Sequence, residues 1–76
     1  MHNSQIFIIA SFYKFVYLSE PQEIKTLLFR KLNKLGVKGT IIIGNEGING
    51  SFSVNEQEFN KVIKIIQDSI PSKLEY

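Results

Sequence analysis

Glycine and asparagine are concentrated in one short segment, GNEGING at residues 44–50, where backbone N–H groups could form a cradle for a phosphate. The known phosphate-binding signatures place a helix directly after the glycines, and the P-loop adds Gly-Lys-Ser/Thr. Here an alternating, strand-like stretch follows, the segment contains no lysine, and Glu46 adds a negative charge. A P-loop is therefore excluded.

The same segment also suits a tight reversal between two strands. The residues that tolerate positive φ there, and so permit a hairpin without strain, are Asn45, Gly47, Asn49 and Gly50. A simple hairpin needs only Asn-Gly, yet this segment also contains Gly44, Glu46 and the apolar Ile48. That surplus is typical of a loop that docks against another surface, and both interpretations stay open.

Titratable groups give little support for catalysis. Glu46 is the one acid in the loop, and the single histidine, His2, lies near the N-terminus, so no base partner is positioned beside it. The remaining paired acids fall in the first turns of predicted helices, where the helix dipole favours them. The chain has no cysteine, which excludes disulfides, thiolate metal sites and a cysteine nucleophile within these residues. We assign no catalytic residue, metal site or cofactor.

Basic residues are in slight excess: nine Lys and Arg against seven Asp and Glu give a net charge of +2. This balance permits contact with nucleic acid without requiring it. A basic group is predicted on the first helix and the turn after it, formed by Lys25, Arg30, Lys31, Lys34 and Lys38. Such a group is either a solvated helix face or a patch for a nucleic-acid backbone.

The elements that must position these residues follow from hydrophobic periodicity and cap signals. We predict strands over 6–18, 37–43 and 50–54, helices over 19–35 and from Asn55 to 70, and a strand starting at 72–76. Ser19 with Gln22, and Asn55 with Glu58, have capping-box spacing. Gly36 is expected to end the first helix in a left-handed conformation.

This order predicts an α+β domain with the ferredoxin-like split βαβ arrangement, βαββα plus a truncated fourth strand. Right-handed crossovers favour an antiparallel sheet of order 4-1-3-2, with both helices on one face. Seventy-six residues form one domain, 1–76, and the clipped fourth strand indicates the N-terminal part of a longer protein.

Two motifs carry a resemblance to a known family. FYKF at residues 12–15 and GTIIIGNEGING at residues 39–50 resemble the N-terminal domain of the rhodanese-related tRNA uridine hydroxylases. The resemblance implies an acylphosphatase-like domain that precedes a rhodanese domain with a cysteine in its active loop. It also implies that full-length members are oxygen-dependent enzymes that modify the wobble uridine of tRNA.

The departures from that family limit what carries over. The rhodanese domain and its cysteine are absent, so no catalytic residue can be transferred to these 76 residues. Acylphosphatase activity needs an arginine in the loop after the first strand, but that loop reads YLSEP, and the one arginine is Arg30 in mid-helix. The fragment alone is therefore expected not to be an enzyme.

The resemblance implies a non-catalytic domain that positions tRNA, docks on the rhodanese domain of the same full-length chain, or does both. The contact candidates for RNA or for that domain are Tyr13, Lys14, Glu46, Gly47, Ile48, Asn49, Lys31, Lys34 and Lys38. If the helices cover the Tyr13 and Phe15 side of the sheet, Phe12 and Lys14 lie on its open face. The alternative is a stand-alone ferredoxin-like module that forms a homodimer through a sheet edge or open face, without an RNA role.

The expected location is the cytoplasm. The apolar segment 6–18 contains Lys14 and is shorter than the roughly 20 residues that span a bilayer. Residues 1–5 contain no Lys or Arg, which argues against a secretory signal. No membrane partner is therefore predicted.

Overall fold

The computed structural model describes residues 6–76 of the chain, so the predictions for His2 and the leader 1–5 lie outside the described residues. The elements are β1 (Phe7–Phe15), α1 (Pro21–Asn33), β2 (Lys38–Gly44), β3 (Gly47–Asn55), a 3-10 turn (Glu56–Glu58) and α2 (Phe59–Asp68). Every predicted helix and complete strand is present, with shifted ends.

The three strands form one antiparallel sheet of order β1-β3-β2. On its outer side β1 meets residue Glu75, which exchanges two backbone hydrogen bonds with Tyr13 at 2.9 and 3.1 Å. The predicted fourth strand is thus represented by a single antiparallel bridge. β1 lies between this bridge and β3, as the predicted order requires.

Both helices cover the same face of the sheet. The buried side chains of α1 and α2 join those of the strands in one cluster, which contains Phe12, Leu18, Leu28, Leu32, Ile48, Phe52, Val54, Val62, Ile66, Ile70 and Leu74. Successive strand residues point to opposite faces, so the even-numbered residues of β1 and β3 face the helices. The predicted ferredoxin-like α+β arrangement is confirmed.

The first helix begins differently from the prediction. Glu20, rather than Ser19, is its N-cap, and no side-chain hydrogen bond caps the helix. Pro21 is the reason: its fixed φ suits the first helical position, so the residue before it becomes the cap and Ser19 falls outside. The end is as predicted, because Gly36 adopts φ +75° just beyond α1.

The second helix starts differently from the prediction, because Asn55 caps the 3-10 turn before it and the N-cap of α2 itself is Glu58, without a side-chain hydrogen bond. The Asn55 side chain accepts a hydrogen bond from the Gln57 N–H at 2.9 Å, while Glu56–Glu58 forms a 3-10 turn before α2. The predicted capping box does not form: among residues 6–76, no hydrogen bond joins Asn55 and Glu58. Neither helix in this part of the chain has the length and hydropathy that crossing a bilayer requires.

Candidate functional site

The glycine-rich segment turns in two residues, Asn45 and Glu46, and β3 starts at Gly47, three residues earlier than predicted. Gly47 is the one residue of the segment with positive φ, at +141°. Of the four residues predicted to tolerate positive φ, Asn45, Asn49 and Gly50 do not adopt it. Because the turn takes only two residues, the motif residues from Gly47 onward are extended and belong to β3.

The turn is docked on the same chain. The Val16 N–H donates to the Glu46 carbonyl at 3.1 Å, and the Leu18 N–H donates to the Asn45 carbonyl at 3.0 Å. The Asn45 side-chain amide returns a 2.8 Å hydrogen bond to the Leu18 carbonyl. The surface that the loop docks against is thus the segment that follows β1.

Two residues of the glycine-rich segment have packing roles inside the domain. A Cβ at Gly47 would collide with the carbonyl oxygen of Lys14 on the neighbouring strand, so only glycine fits there without movement. Ile48 is 3% exposed and belongs to the core. Its even position turns its side chain toward the helices, so the predicted contact at Ile48 stays a prediction that this burial does not support. Glu46 and Asn49 are exposed on the surface.

Lys14 lies on the helix-covered face of the sheet, whereas the conditional prediction placed it on the open face. The helices cover the side of Phe12 and Lys14, and Tyr13 and Phe15 lie on the open face. The Lys14 side chain is 24% exposed and its Nζ lies 3.5 Å from a Glu75 carboxylate oxygen. Both faces of β1 are apolar in sequence, so its pattern did not determine which face the helices cover.

The open face is defined as the odd-numbered residues of β1 and β3 and the even-numbered residues of β2. It is nearly uncharged, with large apolar side chains on β1 and β2 and only glycine, serine and asparagine on β3 between them. Its large exposed side chains are Phe7, Ile9, Tyr13, Phe15 and Ile42. Phe15 is 82% exposed and Ile9 79%. Lys38, which the register places opposite Ser53, is the one cation of this face among the strand residues.

The predicted basic group is divided between two layers. Arg30, Lys31 and Lys34 are exposed on the last turn of α1 and its C-cap. Lys38 belongs instead to β2, so the predicted set does not share one helix surface. Within residues 6–76 no carboxylate lies within ion-pair distance of Arg30, Lys31 or Lys34. These three residues form what we call the α1 cluster.

The described residues offer few groups for metal binding or acid–base catalysis. The described part of the chain holds no group of three or more His, Asp or Glu side chains placed to bind a metal ion. The Glu58 Oε1 atom is buried without a hydrogen bond and lies 3.4 Å from the Lys61 Nζ, which makes it half of a surface ion pair.

Comparison with known proteins gives a consistent result. The model of a family described as the UPF0176 acylphosphatase-like domain matches residues 7–74. A tRNA uridine(34) hydroxylase of Legionella pneumophila (strain Corby) is 43% identical over 53 residues, which are 70% of this chain and 21% of that protein. A tRNA uridine(34) hydroxylase of Buchnera aphidicola subsp. Baizongia pistaciae (strain Bp) is 34% identical over 74 residues, covering 91% of this chain and 24% of its own length. The chain thus spans between a fifth and a quarter of these two relatives.

Proposed function

The chain belongs to the family of UPF0176 acylphosphatase-like domains, and from this premise we propose that it is a non-catalytic domain of a tRNA uridine(34) hydroxylase. Its open face docks on the catalytic part of the enzyme, which the sequence resemblance identifies as a rhodanese domain. Its α1 cluster contacts the tRNA backbone. The family that the sequence motifs predicted is confirmed, whereas the two contacts are proposals.

The observation that carries the docking proposal is the scarcity of charge on a sheet surface that exposes several large apolar side chains. Monomeric proteins seldom expose neighbouring large apolar side chains, and such patches mark surfaces that bind protein. An RNA-binding sheet combines aromatic side chains with several cations. Here Lys14 is on the helix side and paired with Glu75, which leaves Lys38 as the one strand cation on the open face. This composition favours a protein partner.

The α1 cluster supports the RNA contact. Residues three and four apart are neighbours on a helix, so Arg30 and Lys31 both lie beside Lys34. Cations at a helix C-terminus are also stabilised by the helix dipole, which is their structural role. Because α1 covers the sheet face opposite the open face, both contacts can form at once. With tRNA as its substrate, the enzyme works in the bacterial cytoplasm.

A chimera tests the docking surface. Residues 7–74 would replace the corresponding acylphosphatase-like domain of the Buchnera aphidicola hydroxylase, which is matched over 91% of this chain, and hydroxylation of uridine 34 would be measured on tRNA. We expect Ile42→Asp to abolish activity, because it replaces the large apolar side chain that β2 contributes to the docking face with a charge. Asn60→Asp is the control for the added negative charge, since Asn60 is exposed on α2, outside both the open face and the α1 cluster. Equal activity of the Ile42→Asp chimera and the unsubstituted chimera would contradict the docking proposal.

A further inference from the structure

The outer edge of β2 has no strand beside it in the described part of the chain. Along an antiparallel strand, successive residues direct their N–H and C=O groups to alternate neighbours. Tyr13 directs both groups to Glu75, so its β3 partner Asn49 directs its own groups to Ile42 on β2. The β2 residues of the other parity therefore direct theirs away from the sheet, and these are Gly39, Ile41 and Ile43.

This edge belongs to the opposite side of the sheet from the C-terminal bridge. In the order β1-β3-β2, the bridge at Glu75 lies beside β1. A strand that continued this bridge would pair with β1 and leave β2 unchanged. In the four-stranded order 4-1-3-2, β2 is therefore an edge strand as well.

The side chains along β2 give its edge little protection. Natural proteins block exposed edges with charges, prolines or bulges, because an open edge accepts another strand. Between Lys38 and Gly44 the strand reads GTIII, without charge or proline, and its pairing with β3 is continuous. Three adjacent isoleucines also favour extended pairing.

A largely apolar groove runs beside this edge, between α1 and β2. It has a volume of about 300 Å³, and its apolar lining consists of Leu28, Phe29, Leu32, Val37, Ile41, Ile43 and Phe52. Phe29 is 75% exposed there. Gly39 also lines the groove and has no side chain to fill it. A strand added to β2 would direct alternate side chains into this groove, as in peptide recognition by strand addition.

We propose that β2 of a second copy of this chain occupies the edge, antiparallel about a two-fold axis at Ile41. Ile41 then pairs with Ile41 of the partner subunit, and Gly39 pairs with Ile43 of the partner subunit. Because Ile43 faces the helix side, its side chain enters the groove of the other copy at the position that glycine leaves empty. The three pairs exchange about six backbone hydrogen bonds, and two three-stranded sheets become one.

The chain itself limits the register of this pairing. Before β2, the Val37 N–H already donates to the Leu32 carbonyl at 3.3 Å. After β2, the Asn45 carbonyl already accepts from the Leu18 N–H at 3.0 Å. The free backbone groups of the edge are therefore centred on Ile41, where the axis is placed.

Charge favours a second copy over an unrelated apolar strand. In this register Lys38 lies opposite Gly44 of the partner subunit, next to the turn that contains Glu46. Lys38 and Glu46 are both exposed, and among residues 6–76 neither lies within ion-pair distance of an opposite charge. The two-fold axis brings this pair together twice. The strands join through the edge of β2 and not through the open face, so the dimer does not rest on the proposed function.

Charge reversal tests the interface without altering the core. Lys38→Glu and Glu46→Lys each place like charges at both contacts, and each should weaken dimerisation roughly tenfold in sedimentation equilibrium. The double variant Lys38→Glu with Glu46→Lys restores both pairs and should return the dissociation constant toward the wild-type value. Lys61→Glu on α2 is the control for net charge and should leave the dissociation constant unchanged.

A second measurement fixes the register. The proposed axis brings Thr40 opposite Ile42 of the partner subunit in a non-hydrogen-bonded pair, where the Cα atoms are about 4.5 Å apart. In a mixed dimer of labelled and unlabelled chains, we expect an intermolecular NOE between the Hα protons of these residues. A wild-type monomer at about 1 mM would overturn the proposal. A dimer without this NOE, or single reversals that the double variant does not rescue, would also overturn it.

Discussion

The Asn45 side-chain amide donates a 2.8 Å hydrogen bond to the carbonyl oxygen of Leu18, 27 residues earlier in the chain. This bond, with the two backbone bonds beside it, fastens the β2–β3 turn to the segment between β1 and α1. The glycine-rich motif therefore has a structural role: it holds the β2–β3 turn against the segment after β1.

Asn45→Ala should lower the free energy of unfolding by about 1 kcal/mol, because it leaves the part-buried Leu18 carbonyl without its side-chain donor. Urea denaturation followed by circular dichroism measures this loss. Asn49→Ala is the control, since Asn49 is exposed on β3. Equal stability of the two variants would show that the bond contributes nothing.

Gly47→Ala should destabilise the chain by about 2 kcal/mol or more, because φ +141° strains an alanine and its Cβ meets the Lys14 carbonyl oxygen. Gly44, directly across the turn, has ordinary φ and open space where an alanine Cβ would lie, so Gly44→Ala should have little effect. Thermal melts of the two variants give the comparison. A Gly47→Ala variant as stable as Gly44→Ala would contradict the close approach.

Ile48 and Ile42 lie on adjacent strands and opposite faces, which makes them a matched pair. Ile48→Ala should cost about 2–5 kcal/mol, because the residue is 3% exposed in the core. Ile42→Ala should change the unfolding free energy by less than about 0.5 kcal/mol, since Ile42 is 60% exposed. Chemical denaturation tests both. A large loss at Ile42 would mean that the open face is covered within the chain.

The ion pair of Lys14 with Glu75 should contribute little. Its atoms are 3.5 Å apart and the Glu75 side chain is 53% exposed, so water screens the pair. A double-mutant cycle with Lys14→Met and Glu75→Gln should give a coupling energy below about 1 kcal/mol that falls as salt is raised. A coupling that is larger and insensitive to salt would contradict this account.

The α1 cluster should govern tRNA affinity. In the chimera, Lys31→Glu with Lys34→Glu should weaken tRNA binding and lower the slope of log affinity against log salt by about one for each phosphate that is no longer neutralised. Filter binding over a salt series provides the slope. Lys61→Glu with Lys64→Glu on α2 is the control, since it changes the net charge by the same amount. An unchanged slope in the double variant would remove the cluster from the RNA interface.

Much of the fold followed from the sequence because several local signals agreed. The Leu and Ile stripes at helical spacing predicted both helices, and their capping and stop residues set the ends to within a few positions. Ser19 is the exception. Its capping-box spacing with Gln22 predicted the start of α1, but the preference of Pro21 for the first helical position determined the N-cap instead.

The faces of the sheet were harder to predict. Phe12 and Tyr13 are both aromatic and adjacent, and alternation alone cannot choose which side two helices will cover. The choice depends on long-range packing: Phe12 lies 5.9 Å, between ring centres, from Phe52 on β3, which in turn stacks on Phe59 of α2. The position of Lys14 followed from that choice and could not be predicted before it.

The open face and the α1 cluster lie on opposite layers of the domain, with the hydrophobic core between them. If both proposed contacts form, a substitution in one surface changes no residue of the other. The affinity of each proposed contact could then evolve independently.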